Sequence, residues 1–267
     1  MRYNDLGNGY WWIAGKQEVV LDLFYRYLGD QVIDGKINIL DLGCGPGSLL
    51  DTLRNTDACL TGIDISIKAL EICKEKGFNR LICSDTTSIP VKDNVFDAIF
   101  IIDVLEHVEN DLDVVRELRR ILKPGGFVCI TVPAFVFLWG KHDYIYGHKR
   151  RYRLGQLAEK LRKAGFEIIQ ATYFEMIFLP LLFIWRKVFF FRKGDDFVKI
   201  PYLLNILLKN IIGLEKYFLR HFNMPFGVTS FVMAKAKKQD GNTPVTIPGI
   251  DIGREQEEDR YGSFAKK

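Results

Sequence analysis

The chain has 267 residues, of which 48% are hydrophobic and 26% charged, with a net charge of +4. That composition is ordinary for a soluble globular protein, and the charge is too small to argue for nucleic acid. The five cysteines (Cys44, Cys59, Cys73, Cys83 and Cys129) form no CxxC pair and lie mostly in apolar stretches, which argues against a disulfide or zinc framework.

The first residues, Met1 to Gly7, carry no signal-peptide pattern, so a cytoplasmic location is expected. Val19, Val20, Leu23, Phe24, Tyr27 and Leu28 recur at helical spacing and predict a leading amphipathic helix. Short apolar strands are predicted at 37–42, 58–63, 80–84, 96–102 and 127–133, as in a sheet covered on both faces. Helical patterns lie between them near 48–55, 66–76 and 111–122, and Lys123-Pro124-Gly125-Gly126 ends the last and turns into a strand. A helix near 154–164 ends at Gly165, a strand follows at 167–173, and a last strand-like run covers 228–236. This rhythm predicts an α/β, doubly wound parallel sheet with helices on both faces, whose ligands bind beyond the C-terminal strand ends.

Residues 175–225 break the rhythm. Ten apolar residues, Met176 to Trp185, precede Arg186 and Lys187, and Pro201 opens a second apolar helix with a narrow polar stripe of Asn205, Lys209, Lys216 and Arg220. Ten residues fall well short of the roughly 20 that cross a bilayer. A lid over a pocket, a dimer surface, or an in-plane membrane contact through 176–222 with Arg186, Lys187, Arg192, Lys193 and Lys199 as basic flanks all remain open. The chain therefore divides into a sheet domain (1–174 plus 226–237), a helical apolar insertion (175–225), and a polar tail (238–267) expected to be disordered.

The run Ile39 to Leu50 carries an apolar strand into a glycine-rich bend. Gly43, Gly45 and Gly47 alternate, and Ser48 stands where a dinucleotide fingerprint would need its third glycine. Carboxylates follow at successive strand ends. Asp64 can accept both hydroxyls of a ribose, Asp85 can accept from an adenine amino group, and Asp41 can help receive a cationic amino group. Each is also a natural turn or capping residue.

Taken together, Leu40-Asp-Leu-Gly-Cys-Gly-Pro-Gly47, Gly62-Ile-Asp64, Ser84-Asp85, Phe96-Asp97, Asp103-Val-Leu-Glu-His-Val108 and Leu122-Lys-Pro-Gly-Gly126 resemble the class I S-adenosylmethionine-dependent methyltransferases of the small-molecule type, in the methyltransferase 11/12-like subgroup. The resemblance implies a seven-stranded Rossmann-like sheet ending in an antiparallel hairpin. It implies that S-adenosyl-L-methionine is the cofactor, with Gly43, Gly45 and Gly47 lining its methionine part, Asp64 (beside Ile65) its ribose and Asp85 its adenine. Asp103 and Val104, after Ile102, would pass close to the methionine end.

A subgroup of these enzymes carries an HD…GH.RRY stretch, resembled here by His142-Asp143 and Gly147-His-Lys-Arg-Arg-Tyr152, and an N-terminal aromatic pair, here Trp11-Trp12. Tyr10, Trp11 and Trp12 are expected to cover the cofactor, and His142, Asp143 and His148 to face the acceptor. His107 is the first choice of base by position and His142 the second. The basic run Lys149, Arg150, Arg151 and Arg153 could meet a phosphate or simply be solvated. Glu106, His107, His142 and Asp143 have ligand chemistry for a metal, but no diagnostic spacing, so no metal is expected. The expected activity is methyl transfer to a hydroxyl, or in second place an amine, of a small acceptor of lipid-linked or glycan type. No nucleic-acid partner is expected, and the oligomeric state is not indicated. The rivals are an NAD-dependent oxidoreductase, disfavoured by Ser48 and Asp85, and a non-catalytic cofactor-binding scaffold.

Overall fold

A computed structural model describes residues 9–28, 37–188 and 200–237. The strands are β1 (Asn38–Leu42), β2 (Cys59–Asp64), β3 (Leu81–Cys83), β4 (Phe96–Ile102), β5 (Leu122–Pro133), β6 (Phe166–Phe174) and β7 (Thr229–Ala236). The helices are α1 (Trp11–Leu28), α2 (Ser48–Leu53), α3 (Ile67–Glu75), α4 (Asp111–Ile121), α5 (Lys141–Ile145), α6 (Leu154–Lys163), α7 (Phe178–Val188) and α8 (Tyr202–Leu219).

The strands form one sheet in the order β3-β2-β1-β4-β5-β7-β6. Neighbours from β3 to β5 are parallel, while β7 runs antiparallel to both β5 and β6. Because β1 is flanked by β2 on one side and β4 on the other, the chain order reverses there, and a crevice opens beyond the carboxyl ends of β1 and β4. Side chains alternate across the sheet, as the period of two requires. Leu40 and Leu42 join the core under α4 and α6, whereas Ile39 joins the core under α1 and α8 with Phe24, Phe100 and Ile212.

The fifth strand starts earlier than 127. Its pairing jumps from Phe96↔Leu122 to Ala98↔Phe127, so Lys123-Pro-Gly-Gly126 bulges out of the strand instead of preceding it. Gly125 has φ of 83°, and the Lys123 Nζ clamps the Asp97 carboxylate at 2.8 and 2.9 Å, which keeps the bulge against β4.

The helices α7 and α8 lie between β6 and β7 in the chain, where the apolar insertion is predicted. The polar stripe of α8 faces α1. Asn205 accepts the Trp11 N–H at 2.8 Å and donates to the Gly9 carbonyl at 2.7 Å, which caps α1 from another helix. Lys216 pairs with Glu18 at 2.6 Å, and Arg220 pairs with Asp22. Glu215 accepts the N–H groups of Met176 (2.8 Å) and Glu175, where the chain enters α7. With its charges turned inward, α8 leaves Tyr202, Leu203, Leu207 and Phe218 exposed, Leu203 at 78%. No described helix is long and apolar enough to cross a membrane. The tail 238–267 and Arg192, Lys193 and Lys199 lie outside the described residues.

Candidate active site

The glycine turn joins β1 to α2. Gly43, Gly45 and Gly47 have φ of 77°, 50° and 79°, in the left-handed region that only glycine enters cheaply. The turn is pinned to β2, since the N–H groups of Gly43 and Cys44 both donate to the Ile63 carbonyl, at 2.7 and 3.0 Å. A Cβ on Gly43 would lie 2.3 Å from Val104 Cγ2, so Val104 presses on the turn. Around Gly45 nothing lies within 4 Å of a Cβ position, leaving open space beside exposed backbone. At Gly47 a Cβ would sit 2.9 Å from Cys73 Sγ, so this glycine lets α3 pack close to the turn.

Asp64 accepts the Gly45 N–H on Oδ2 and the Ser66 N–H on Oδ1, each at 2.8 Å. Each oxygen keeps accepting capacity, so the carboxylate is oriented and can still take two hydroxyls. Ile65 beside it is 71% exposed. Asp85 is also exposed and binds the Thr87 N–H and Oγ1 through Oδ1, at 2.7 and 2.6 Å, bonds that lower its pKa. It is thus a turn residue as well as a candidate adenine contact.

A cavity of about 1060 Å³ joins this turn to the far end of the crevice. Asp41, Gly43, Gly45 and Asp103 lie at its cofactor end, and His107, His142 and His148 along its wall. Its roof comes from Trp11 and Trp12 of α1 and from Phe178, Leu181 and Trp185 of α7. Phe178 stands 5.1 Å from Trp11 and 6.0 Å from Trp12, ring to ring, so the aromatic pair and the insertion close the site together.

Burial, with Cys73 and Asp64 adding to it, pushes the Asp41 carboxyl up to about 8. A cation brought beside it would favour the ionised form. Asp103 adopts φ of 53° and is held by Lys16 at 2.5 Å and the Thr131 hydroxyl at 3.0 Å. Burial opposes ionisation there, but Lys16 outweighs it and the pKa falls. Lys16 is a site residue that the motifs did not single out. The signal was present: it lies three and four residues before Val19 and Val20, on the face that the periodicity buries.

Asp143 does not face the acceptor. It is 0% exposed and sits under the wall, where it accepts from Gly140 N–H (2.8 Å), His148 Nδ1 (2.8 Å) and Arg151 Nε (2.8 Å). Burial alone would raise its pKa, but the His148 and Arg151 contacts hold it well below the usual carboxylate range. An ionised carboxylate only accepts, so His148 Nδ1 carries the proton and Nε2 is left for the cavity. Two members of the basic run are engaged within the fold. Arg151 is buried on Asp143 and the Ala134 carbonyl, while Arg150 holds the Glu109 carbonyl and Asp111.

His107 is at the cavity rim, 4.8 Å from His148 ring to ring. Partial burial, then the neighbouring His148 ring, keep its pKa below the ordinary value. Glu106, which precedes it, is buried, and burial followed by the Asp103 charge pushes its carboxyl well up.

Residues 40–130 match the family described as methyltransferase domain. Over those residues, about a third of the chain, it is similar to methyltransferase domains. The ubiquinone biosynthesis O-methyltransferase of Bordetella pertussis is 28% identical over 154 residues, covering 51% of this chain and 64% of that protein. The tRNA (carboxymethyluridine(34)-5-O)-methyltransferase ALKBH8 of Mus musculus is 31% identical over 121 residues, covering 44% of this chain and 17% of that protein. The chain thus spans less than two thirds of the length of these relatives. A solved SAM-dependent methyltransferase from Archaeoglobus fulgidus has the same fold, with a TM-score of 0.52 at 19% identity over 82% of this chain and 94% of that one. The open space at Gly45 and the oriented Asp64 fit S-adenosylmethionine, the cofactor that the resemblance implies.

Proposed function

We propose that the chain transfers a methyl group from S-adenosylmethionine to a hydroxyl of a small acceptor of lipid-linked or glycan type. The observation that carries this reading is the single cavity running from the glycine turn to three histidines beneath an apolar roof. The cofactor supplies an activated methyl group on a sulfonium. In the transfer an O–CH3 bond forms, the S–CH3 bond breaks with its electron pair going to sulfur, and the acceptor proton leaves. The protein's work is alignment and water exclusion by Trp11, Trp12, Phe178 and Trp185, together with removal of that proton at the histidine wall.

The apolar roof and the exposed faces of α7 and α8 support an amphipathic acceptor presented at a membrane surface. Leu181 of α7 illustrates the continuity, because it lines the cavity and is 60% exposed. Position 48 argues against the dinucleotide rival. The Ser48 hydroxyl is engaged by Gln17 of α1 at 2.9 Å, so a side chain is used where the fingerprint needs none.

Calorimetry with S-adenosylhomocysteine tests cofactor use, and turnover of methyl-labelled cofactor on lipid and polar extracts tests transfer. Label is expected in an O-methylated lipid or glycan product. Binding without any labelled product would favour the scaffold reading.

A further inference from the structure

Glu106 is 1% exposed, and its Oε2 has no hydrogen-bond partner among the described residues. A buried carboxylate oxygen without a donor is costly and points to a ligand. One ligand atom each of Glu106, His107 and His148 lies within 4.8 Å of the others. The backbone builds this convergence. Glu106 and His107 are consecutive in the short turn after β4, and the Lys149 N–H donates to the Glu106 carbonyl at 2.7 Å, which lays His148 against them. His148 Nδ1 is anchored on Asp143 at 2.8 Å, and its ring stands 4.8 Å from that of His107. His148 thus has one nitrogen fixed by a carboxylate and the other available, the arrangement found around metal-bound histidines.

We propose that Glu106, His107 and His148 hold one divalent transition-metal cation. Two imidazoles and one carboxylate suit zinc, manganese, iron(II) or cobalt(II) better than the oxygen-seeking calcium and magnesium. Bonds of about 2.0–2.2 Å set ligand atoms about 3–3.5 Å apart, so the side chains close by roughly an ångström on binding. The neighbouring cations do not oppose this, because Lys16 is paired with Asp103 and Arg151 with Asp143. Three protein ligands leave further positions open toward the cavity that all three line. A cation there would polarise an acceptor hydroxyl and ease loss of its proton. That role rests on the transfer proposed above, whereas the binding does not.

The test is titration of Co²⁺ into chelator-treated full-length protein, followed by visible absorption and calorimetry, with S-adenosylhomocysteine binding measured on the same samples. One Co²⁺ per chain is expected, displaced by Zn²⁺. Binding should weaken at least about tenfold in His148→Ala and Glu106→Gln, and stay unchanged in His221→Ala, which alters an exposed histidine. Absence of Co²⁺ binding by wild type that still binds S-adenosylhomocysteine overturns the proposal. So does equal Co²⁺ affinity across the variants, or an equal loss in His221→Ala. Failure of folded wild type to bind S-adenosylhomocysteine would instead remove the transfer reading, whatever Co²⁺ does.

Discussion

Gly15 of α1 and Ile212 of α8 touch backbone to side chain, and a Cβ placed on Gly15 would lie 2.9 Å from the Ile212 Cβ. Only glycine lets α8 approach α1 this closely, and that approach seats the Lys216–Glu18 and Arg220–Asp22 pairs. Gly15→Ala sets two effects against each other. Helix propensity favours alanine by about 1 kcal/mol, but overpacking costs about 1–3 kcal/mol. The close contact is with the branched Cβ, which no rotamer change can move, so overpacking wins. Calorimetric unfolding is expected to show a melting temperature lower by a few degrees.

Asp64 is oriented by two backbone N–H groups, and it is the carboxylate expected to hold the ribose. Asp64→Ala removes two accepting oxygens and frees the Gly45 N–H. S-adenosylhomocysteine affinity should fall by about 2 kcal/mol, or roughly thirtyfold. Titration calorimetry reads this directly, and an unchanged affinity would remove Asp64 from the ribose site.

Asp143→Asn should cost far more stability than activity arguments alone suggest. The change leaves buried Arg151 without its carboxylate partner. Breaking one side of such a buried pair costs about 3–5 kcal/mol. Denaturant unfolding is the measurement, and a loss below about 1 kcal/mol would show that the network relaxes around the amide.

Glu175 makes stability depend on pH. Its Oε2 accepts the Thr229 hydroxyl at 2.6 Å, Oε1 has no partner among the described residues, and burial, chiefly, pushes the carboxyl up to about 8. The folded state therefore keeps a proton that the unfolded chain releases near its ordinary value of 4.5. Its contribution is fully present below that value and is lost as pH rises through about 8. Urea unfolding at about pH 6 and about pH 9 should show a decline of a few kcal/mol in wild type and a shallower one in Glu175→Gln.

The outward face of α8 is expected to bind lipid. Leu203→Asp with Phe218→Asp changes two residues that are 78% and 60% exposed, so stability should move by no more than about 0.5 kcal/mol each. Flotation with anionic liposomes should fall sharply while S-adenosylhomocysteine binding holds. Equal flotation of wild type and variant would remove the membrane reading of this face.

Much of the fold was legible in the sequence because it is written locally. Three glycines in alternation require left-handed backbone wherever they fall. Short apolar strands separated by helical periods admit few arrangements beyond a parallel doubly wound sheet. Asp64 could be placed at a strand end by counting. The late start assigned to β5 failed for a local reason too: Lys123-Pro-Gly-Gly reads as a turn, and only pairing with β4 shows that the strand resumes on both sides of it.

The acceptor end was not legible, because it depends on residues far apart in the chain. The stripe Asn205, Lys209, Lys216 and Arg220 is visible as periodicity, but periodicity does not say whether polar residues face water or another helix. Glu18 and Asp22, nearly two hundred residues earlier, decide that they face α1 and that the leucines face out. The same holds for Glu106 and His148. Their types were evident, but a backbone hydrogen bond between two loops beyond separate strands brings them together, and the buried Asp143 aims the histidine. The sequence alone determined the sheet and the glycine turn, since each rests on local backbone geometry. The tertiary structure decided the outward face of the insertion and the Glu106–His107–His148 cluster, since both come from packing between segments that no local pattern connects.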